Sequence, residues 1–299
     1  MTALAQQGRE QGQDERRALG IDWGDVVLNA YIGLFFLYLF VPLGIMVLAA
    51  FNANDTPSVS DWRGFTLQWF TGATDEAGNV TVRGLPQDAR FLQGLWHSLL
   101  IALGVIAISI PLGLSGALLL TRLESKASTL LYTLLVSPML MPGIVLGVST
   151  MIFWRDMFGV EAGLFTAMIA QSVFIGSYCM LMFMARLQRQ DRGLEEAGFD
   201  LGASSFLVFQ RITLPFLMPT IATAAVIAFL QSIENYNTTF FAIGGNWTLV
   251  TEIGARMRFG LSPVVNAIGV IFVAITIVAA VSYVLLKRRR DQRIKALRR

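Results

Sequence analysis

The residues able to carry chemistry are few. Among 299 residues there is one histidine, His97, one cysteine, Cys179, and three lysines, Lys126, Lys287 and Lys295. A metal centre needs several His, Cys or carboxylate ligands converging, and covalent catalysis needs a nucleophile beside a base. One His and one Cys build neither, so neither a metal site nor a catalytic residue is assigned. Cys179 lies in an apolar run beside Met180 and Leu181 and reads as a small buried hydrophobe. A phosphate loop needs a Gly-rich turn followed by Lys, and none of the lysines follows one. Two polar clusters remain. One is acidic: Glu195 and Glu196, flanked by Asp191 and Asp200, within residues 186–214. The other, Glu234-Asn235-Tyr236-Asn237, joins a carboxylate to an aromatic face. That pairing suits an ammonium cation, and equally the solvated end of a helix.

Composition defines the elements that must hold these clusters. Hydrophobic residues make up 55% of the chain and charged residues 14%, about half the charged share of a soluble protein. Mean hydropathy is +0.60, and the apolar residues come in long blocks. This is an integral membrane protein. About 20 apolar helical residues cross a hydrocarbon core, and six stretches qualify: 26–51, 95–121, 130–154, 163–185, 215–233 and 264–286. Apart from His97, near the start of the second, they hold no ionisable Asp, Glu, Lys, Arg or His. A charge at a span centre costs about 2.5–3.5 kcal/mol, so this partition supports the spans. It also leaves no relay of the kind that ion-coupled transporters use. The first stretch exceeds the roughly 7–15-residue core of a signal peptide and reads as a retained span.

Basic residues are unevenly divided between the two sides. Seventeen Lys and Arg fall in the 75 residues of 1–25, 122–129, 186–214 and 287–299, against six in the 81 residues of the other loops. The positive-inside rule then places both termini in the cytoplasm. Residues 1–25 read as a disordered segment without an assignable role. The tail from Lys287 to Arg290 reads as an anchor to lipid headgroups rather than a nucleic-acid patch. Trp23, Trp96 and Trp154 fall near span ends, where interfacial aromatics belong. Loops 52–94 and 234–263 lie on the opposite side and are long enough to meet a partner protein.

Segment 186–214 is the most informative. Leu194, Ala197, Gly198 and Leu201 recur at helical spacing, with Asp191 able to cap the start and Gly202 able to end the helix in the left-handed conformation. Ser204 or Ser205 can cap a second helix with Phe206, Phe209 and Ile212 facing inward, and Pro215 suits the first turn of the next span. The expected result is a helical hairpin over 191–212. It can fill a groove on a partner or lie on the bilayer surface. In the third stretch, Pro138 and Pro142, with Gly143 and Gly147, should break or kink the helix. Irregular backbone at membrane depth is tolerated where it lines a cavity or is buried by protein, so this is a candidate pathway wall or a packing kink. Ser109, Ser137 and Ser149 read as helix-packing residues.

The pattern Glu196-Ala197-Gly198-x3-Gly202-x9-Ile212-x-Leu214-Pro215 resembles the EAA loop of permease subunits in binding-protein-dependent ABC importers, E-A-A-x3-G-x9-I-x-L-P. The one departure is Gly198 in place of the second Ala, which lowers helix propensity by about 1 kcal/mol. The stretches 62–70, 137–138 and 258–267 look like the spermidine/putrescine branch, and within it the second permease. The resemblance implies an all-α membrane protein with six transmembrane helices in the type I ABC importer permease (MetI-like) fold, over 26–286, in a bacterial inner membrane. It implies three partners: a second permease subunit, an ATPase dimer that carries ATP and Mg, and a periplasmic solute-binding protein. Under it, Glu195, Glu196, Ala197, Gly198, Asp200, Gly202, Ile212, Leu214 and Pro215 form the ATPase-coupling element. Pro138, Pro142, Glu234, Asn235 and Tyr236 line the solute path, and the substrate is a polyamine or related small organic solute. The branch often carries two acidic residues near position 234, where this chain has Glu234-Asn235. The competing expectation is a stand-alone channel or facilitator whose hairpin is structural.

Overall fold

The computed structural model describes residues 23–56, 59–75, 77–122, 126–259 and 263–297. Most of the 1–25 segment lies outside them, as do Arg298 and Arg299 of the basic tail. In chain order the helices are α1 (Trp23–Ala50), α2 (Gln68–Thr71), α3 (Ala89–Arg122), α4 (Lys126–Leu140), α5 (Gly143–Phe158), α6 (Leu164–Leu187), α7 (Arg192–Asp200), α8 (Ser205–Val208), α9 (Leu214–Ile233), α10 (Tyr236–Ala242), α11 (Leu249–Phe259) and α12 (Pro263–Leu297). A short antiparallel pair, β1 (Ala73–Thr74) and β2 (Val80–Val82), sets Ala73 opposite Val82.

The described chain divides into two compact units, one of residues up to Phe70 together with those from Ser262 onward, the other Thr71–Leu261. In the first, α1 packs on α12 yet exposes most of its surface, with Leu34 at 68% and Tyr38 at 78%. A helix apolar on all sides with so little covered is a lipid-facing span. Beyond α1 the chain is pinned by Asn52, whose side chain donates to the Asp61 carbonyl at 2.8 Å and whose carbonyl accepts from Trp69 Nε1 at 2.7 Å.

In the second unit the core is α3 against α6, supplemented by α9. Ile101, Val105, Ala117 and Leu120 meet Ala167, Ala170, Ile175, Cys179, Met180 and Phe183, joined by Ala224 and Ala228 of α9 and by Ala242 and Ile243. Small residues bring the helices close enough for polar contacts between them. Ser109 Oγ donates to the Ser172 carbonyl at 3.4 Å, and Ser177 Oγ to the Leu135 carbonyl of α4 at 2.6 Å.

Among the described residues, four helical runs are long and apolar enough to span a membrane: 24–50, α3, α6 and 205–233; α4 with α5 qualifies as a bent pair, and α12 supplies a shorter apolar run, Pro263–Val278. These overlap the six stretches read from the sequence, the last only as a run shorter than a span, with two further differences. The third stretch is broken, α4 and α5 meeting at 106°. Pro142 adopts φ −57°, ψ 134° and starts α5, since the residue before a proline is driven from helical geometry and the proline has no N–H to continue the ladder. One turn earlier Pro138 cannot donate to the Leu134 carbonyl, and Ser137 Oγ supplies that bond instead at 2.9 Å. Ser137 is exposed, so its service is to its own helix rather than to packing. The fifth stretch starts earlier than expected. The second arm of the hairpin is continuous with it, passing through a π turn over Phe209–Thr213. Pro215 crowds the carbonyl four residues before it, and the wider turn carries the helix past that point without a break.

Candidate functional site

The first site is the hairpin between α6 and α9. Asp191 Oδ1 accepts from the Gly193 amide at 2.9 Å, capping α7. At the other end Gly202 has φ 80°. Its amide bonds the Phe199 carbonyl at 2.8 Å and that of Ala203 bonds Gly198 at 3.1 Å, the paired closure that favours glycine. Ser204, rather than Ser205, caps the next turn, accepting from the Leu207 amide at 3.3 Å. The motif departure at Gly198 has a packing counterpart. A Cβ there would stand 3.2 Å from both Ile212 Cδ1 and Val208 Cγ2, so the two arms close more tightly than alanine would allow without a small shift.

Of the three residues expected to face inward, Phe209 and Ile212 are half-buried and only Phe206 is exposed. Leu194 is 58% exposed, Leu201 88% and Phe206 73%, whereas Val208 and Thr213 are buried and Ile212 half-buried. Helical spacing identified an apolar stripe but not its occupant. Gly198 in the stripe packs on Val208 and Ile212 of the second arm, while Leu194 and Leu201 at its ends face outward. Glu196, Ala197 and Asp200 are exposed beside it, as are Gly202 and Pro215, while Leu214 is half-buried at the root of the second arm.

Glu195 behaves differently from Glu196. Its Oε1 accepts from Thr213 Oγ1 at 2.5 Å and from Gln190 Nε2 at 3.0 Å, and its Oε2 pairs with Arg122 Nη2 at 3.3 Å. One carboxylate thus ties α7 to the end of α3, the end of α6 and the π turn below α9. Arg192, the first residue of α7, adds a bond from Nη2 to the Thr121 carbonyl at 3.2 Å. At the same level Arg186 lies over the Phe216 ring at 4.0 Å. Between these ends is a cavity of about 610 Å³ lined by Thr121, Arg122, Leu187, Gln190, Arg192 and Glu196, among others. Arg122, Gln190 and Thr213 escaped the sequence reading because a carboxylate's partners are chosen by how helices pack.

The second site lies at the opposite end of α6 and α9. Here the chain breaks between α9 and α10. Glu234 is exposed at the end of α9, Tyr236 is half-buried and stacks on Phe240 at 5.4 Å, and Asn235 Oδ1 caps α10 by accepting from the Thr238 amide at 3.2 Å. The helix α10 lies against α5. A Cβ on Gly147 would stand 2.5 Å from the Thr238 carbonyl oxygen, and one on Gly143 would stand 2.8 Å from Thr238 Oγ1. Pro142 starts this helix and is exposed, while Pro138 lies a turn further back and is half-buried. The structure therefore brings the Pro142 break beside the Asn235–Tyr236 turn, two features about 90 residues apart that spacing alone could not join.

Next to this turn is an ion-pair group absent from the sequence reading. Glu252, 4% exposed, accepts from Arg256 at 2.9 Å and Arg90 at 3.2 Å, and Arg256 also pairs with Asp88 at 2.7 Å. Burial works against the Arg256 charge, but the hydrogen bonds it donates to Asp88 and Glu252 outweigh that and hold its pKa above the ordinary arginine value. The Arg256 guanidinium also lies 3.8 Å from the centre of the Phe91 ring. His97 Nδ1 is 2.8 Å from the Trp247 carbonyl, and among the described residues no three His, Cys, Asp or Glu side chains converge.

Span-length apolar helices, with a capped hairpin at one end of α6 and α9 and a broken helix at the other, define an integral membrane protein. Residues 109–294 match the family described as binding-protein-dependent transport system inner membrane component, and the chain belongs to it. Its relatives include the putrescine transport system permease protein PotI of Escherichia coli K12, 27% identical over 88% of this chain and 92% of that one. The spermidine/putrescine transport system permease protein PotC of the same strain is 24% identical over 89% of this chain and 95% of its own. Among solved structures, a bacterial alginate ABC transporter in complex with a pentasaccharide-bound periplasmic protein matches with a TM-score of 0.62 at 17% identity, covering 91% of this chain and 94% of that chain. The MetNI methionine ABC transporter, in inward-facing conformations, matches with a TM-score of 0.56 at 21% identity, over 66% and 94%. These likenesses are of fold, and they agree with the all-α permease architecture expected from the EAA-like segment. The chain is a non-enzymatic membrane component of a transport system.

Proposed function

We propose that the chain is a permease subunit of an ABC importer for a polyamine or a related small organic solute, in a bacterial inner membrane with both termini cytoplasmic. In this reading the 191–212 hairpin docks into a separate ATPase dimer, which carries ATP and Mg. A second permease subunit completes the pore, and a periplasmic solute-binding protein delivers solute to the 234–263 side. One observation carries the coupling role: the hairpin is rigidly capped and internally braced while its apolar residues Leu194, Leu201 and Phe206 point away from its own chain. An element that exposes such side chains in water is built for a partner. ATP-driven closure of the ATPase dimer would then move the hairpins as rigid bodies and switch the permease pair between inward- and outward-open states.

The polyamine assignment rests on the relatives named above and on the Glu234 carboxylate beside Tyr236 at the mouth. Carboxylate and ring together favour an ammonium group. Glu196→Lys and Gly202→Asp are expected to leave insertion intact and to uncouple ATP hydrolysis from uptake of radiolabelled putrescine in the assembled transporter. Unchanged uptake by both variants removes the coupling assignment. Glu234→Gln is expected to weaken putrescine uptake, and undiminished uptake takes Glu234 out of the path.

A further inference from the structure

Gln171 is the one fully buried amide side chain among the described residues of the spanning helices, with 0% exposure, about two turns inside the start of α6. A polar group at membrane depth is costly unless bonded, and here both ends are used. Gln171 Oε1 accepts from Ser232 Oγ at 2.6 Å, and Gln171 Nε2 donates to Thr239 Oγ1 at 2.6 Å. The Thr239 hydroxyl in turn donates to the Asn235 carbonyl. The chain of donors runs one way, from the last turn of α9 through α6 to α10 and back to the residue that joins α9 and α10. Each hydroxyl and the amide donates once, and no donation conflicts with another. Asn235 is held twice, through its carbonyl by Thr239 and through its side chain by the Thr238 amide.

We infer that Gln171 is a positioning residue: it fixes the turn at Asn235, and with it the placement of Glu234 and Tyr236 at the mouth of the path. It touches no solute. Its effect on transport rests on the reading that Glu234 and Tyr236 line that path, whereas its hold on α10 does not. A packing glutamine would need only one partner helix. This one bridges the two helices whose junction carries the mouth residues, and its bonds end on the junction itself.

The test uses the assembled transporter, with its partner permease, ATPase and binding protein, in proteoliposomes. Gln171→Met keeps the length of the side chain and removes both bonds without placing a charge in the membrane. Tyr236→Cys serves as a reporter for a membrane-impermeant maleimide, native Cys179 being buried. In the Gln171→Met background the labelling rate at the reporter is expected to rise about tenfold, the scale of one lost buried hydrogen bond. Thr239→Val should reproduce the rise, and Thr239→Ser, which keeps the hydroxyl, should not. In the reporter-free protein, KM for radiolabelled putrescine should rise several-fold with Vmax and ATPase stimulation within about twofold. An unchanged labelling rate in both Gln171→Met and Thr239→Val overturns the inference. Faster labelling with KM unmoved supports the hold on α10 and refutes instead the assignment of Glu234 and Tyr236 to the path.

Discussion

Replacing Glu195 by alanine isolates what braces the hairpin from what docks it. Three contacts disappear at once. The Thr213 hydroxyl, in a residue with 0% exposure, loses its acceptor, which costs about 1–3 kcal/mol for a buried donor left unpaired. The Gln190 amide contact contributes about 0.5–1.5 kcal/mol. The Arg122 ion pair, with the arginine side chain 52% exposed, adds no more than about 1 kcal/mol after solvent screening. Allowing for partial re-solvation, local opening of α7 should become easier by about 2–4 kcal/mol, or roughly 30- to 1,000-fold in the opening equilibrium. Hydrogen exchange of the Arg192–Asp200 amides in the assembled transporter reads this directly, and uptake should fall while basal ATP hydrolysis persists. Because the contacts share one carboxylate, Thr213→Val on top of Glu195→Ala should add little. Glu195→Gln, which retains an acceptor for Thr213, should lose far less. Native exchange rates in Glu195→Ala, or fully additive effects of the two substitutions, would refute the bracing argument.

Two further outcomes follow from the far end of the bundle. Gly147→Val places a Cβ 2.5 Å from the Thr238 carbonyl oxygen and 3.2 Å from Phe241 Cβ, so α10 must shift. Overpacking of this kind costs about 1–3 kcal/mol and should lower detergent thermal stability and uptake together, while Gly33→Ala, with nothing within 4 Å, should change neither. Glu252→Ala leaves Arg256 with Asp88 but removes the shared buried carboxylate. A loss of about 2 kcal/mol is expected, below the usual cost of breaking a buried pair because Arg90 is largely exposed. Thermal unfolding of the complex in detergent checks it, and an unaltered midpoint would show that the ion group contributes nothing to holding α11.

The sequence by itself determined the class. Charge-free apolar stretches of span length leave few architectures open, because an unpaired charge in hydrocarbon is too costly to hide. The spacing from Glu196 to Pro215 marked the hairpin, and Asp191, Ser204 and Gly202 cap and end it as their side chains and backbone freedom require, since capping is local to a few residues. The Pro138–Pro142 break was legible for the same reason. Only the tertiary structure decided which side of the hairpin is covered, because periodicity defines a stripe without saying what lies opposite it. It also separated Glu195, turned inward to Thr213 and Arg122, from Glu196, turned outward. The Gln171 bridge and the Glu252 ion group belong to the same class of fact. The bridge joins neutral residues far apart in the chain, and the ion group joins Glu252 and Arg256 of α11 to Asp88 and Arg90 much earlier in it; their meaning arises when close-packed helices bring a donor within reach of an acceptor.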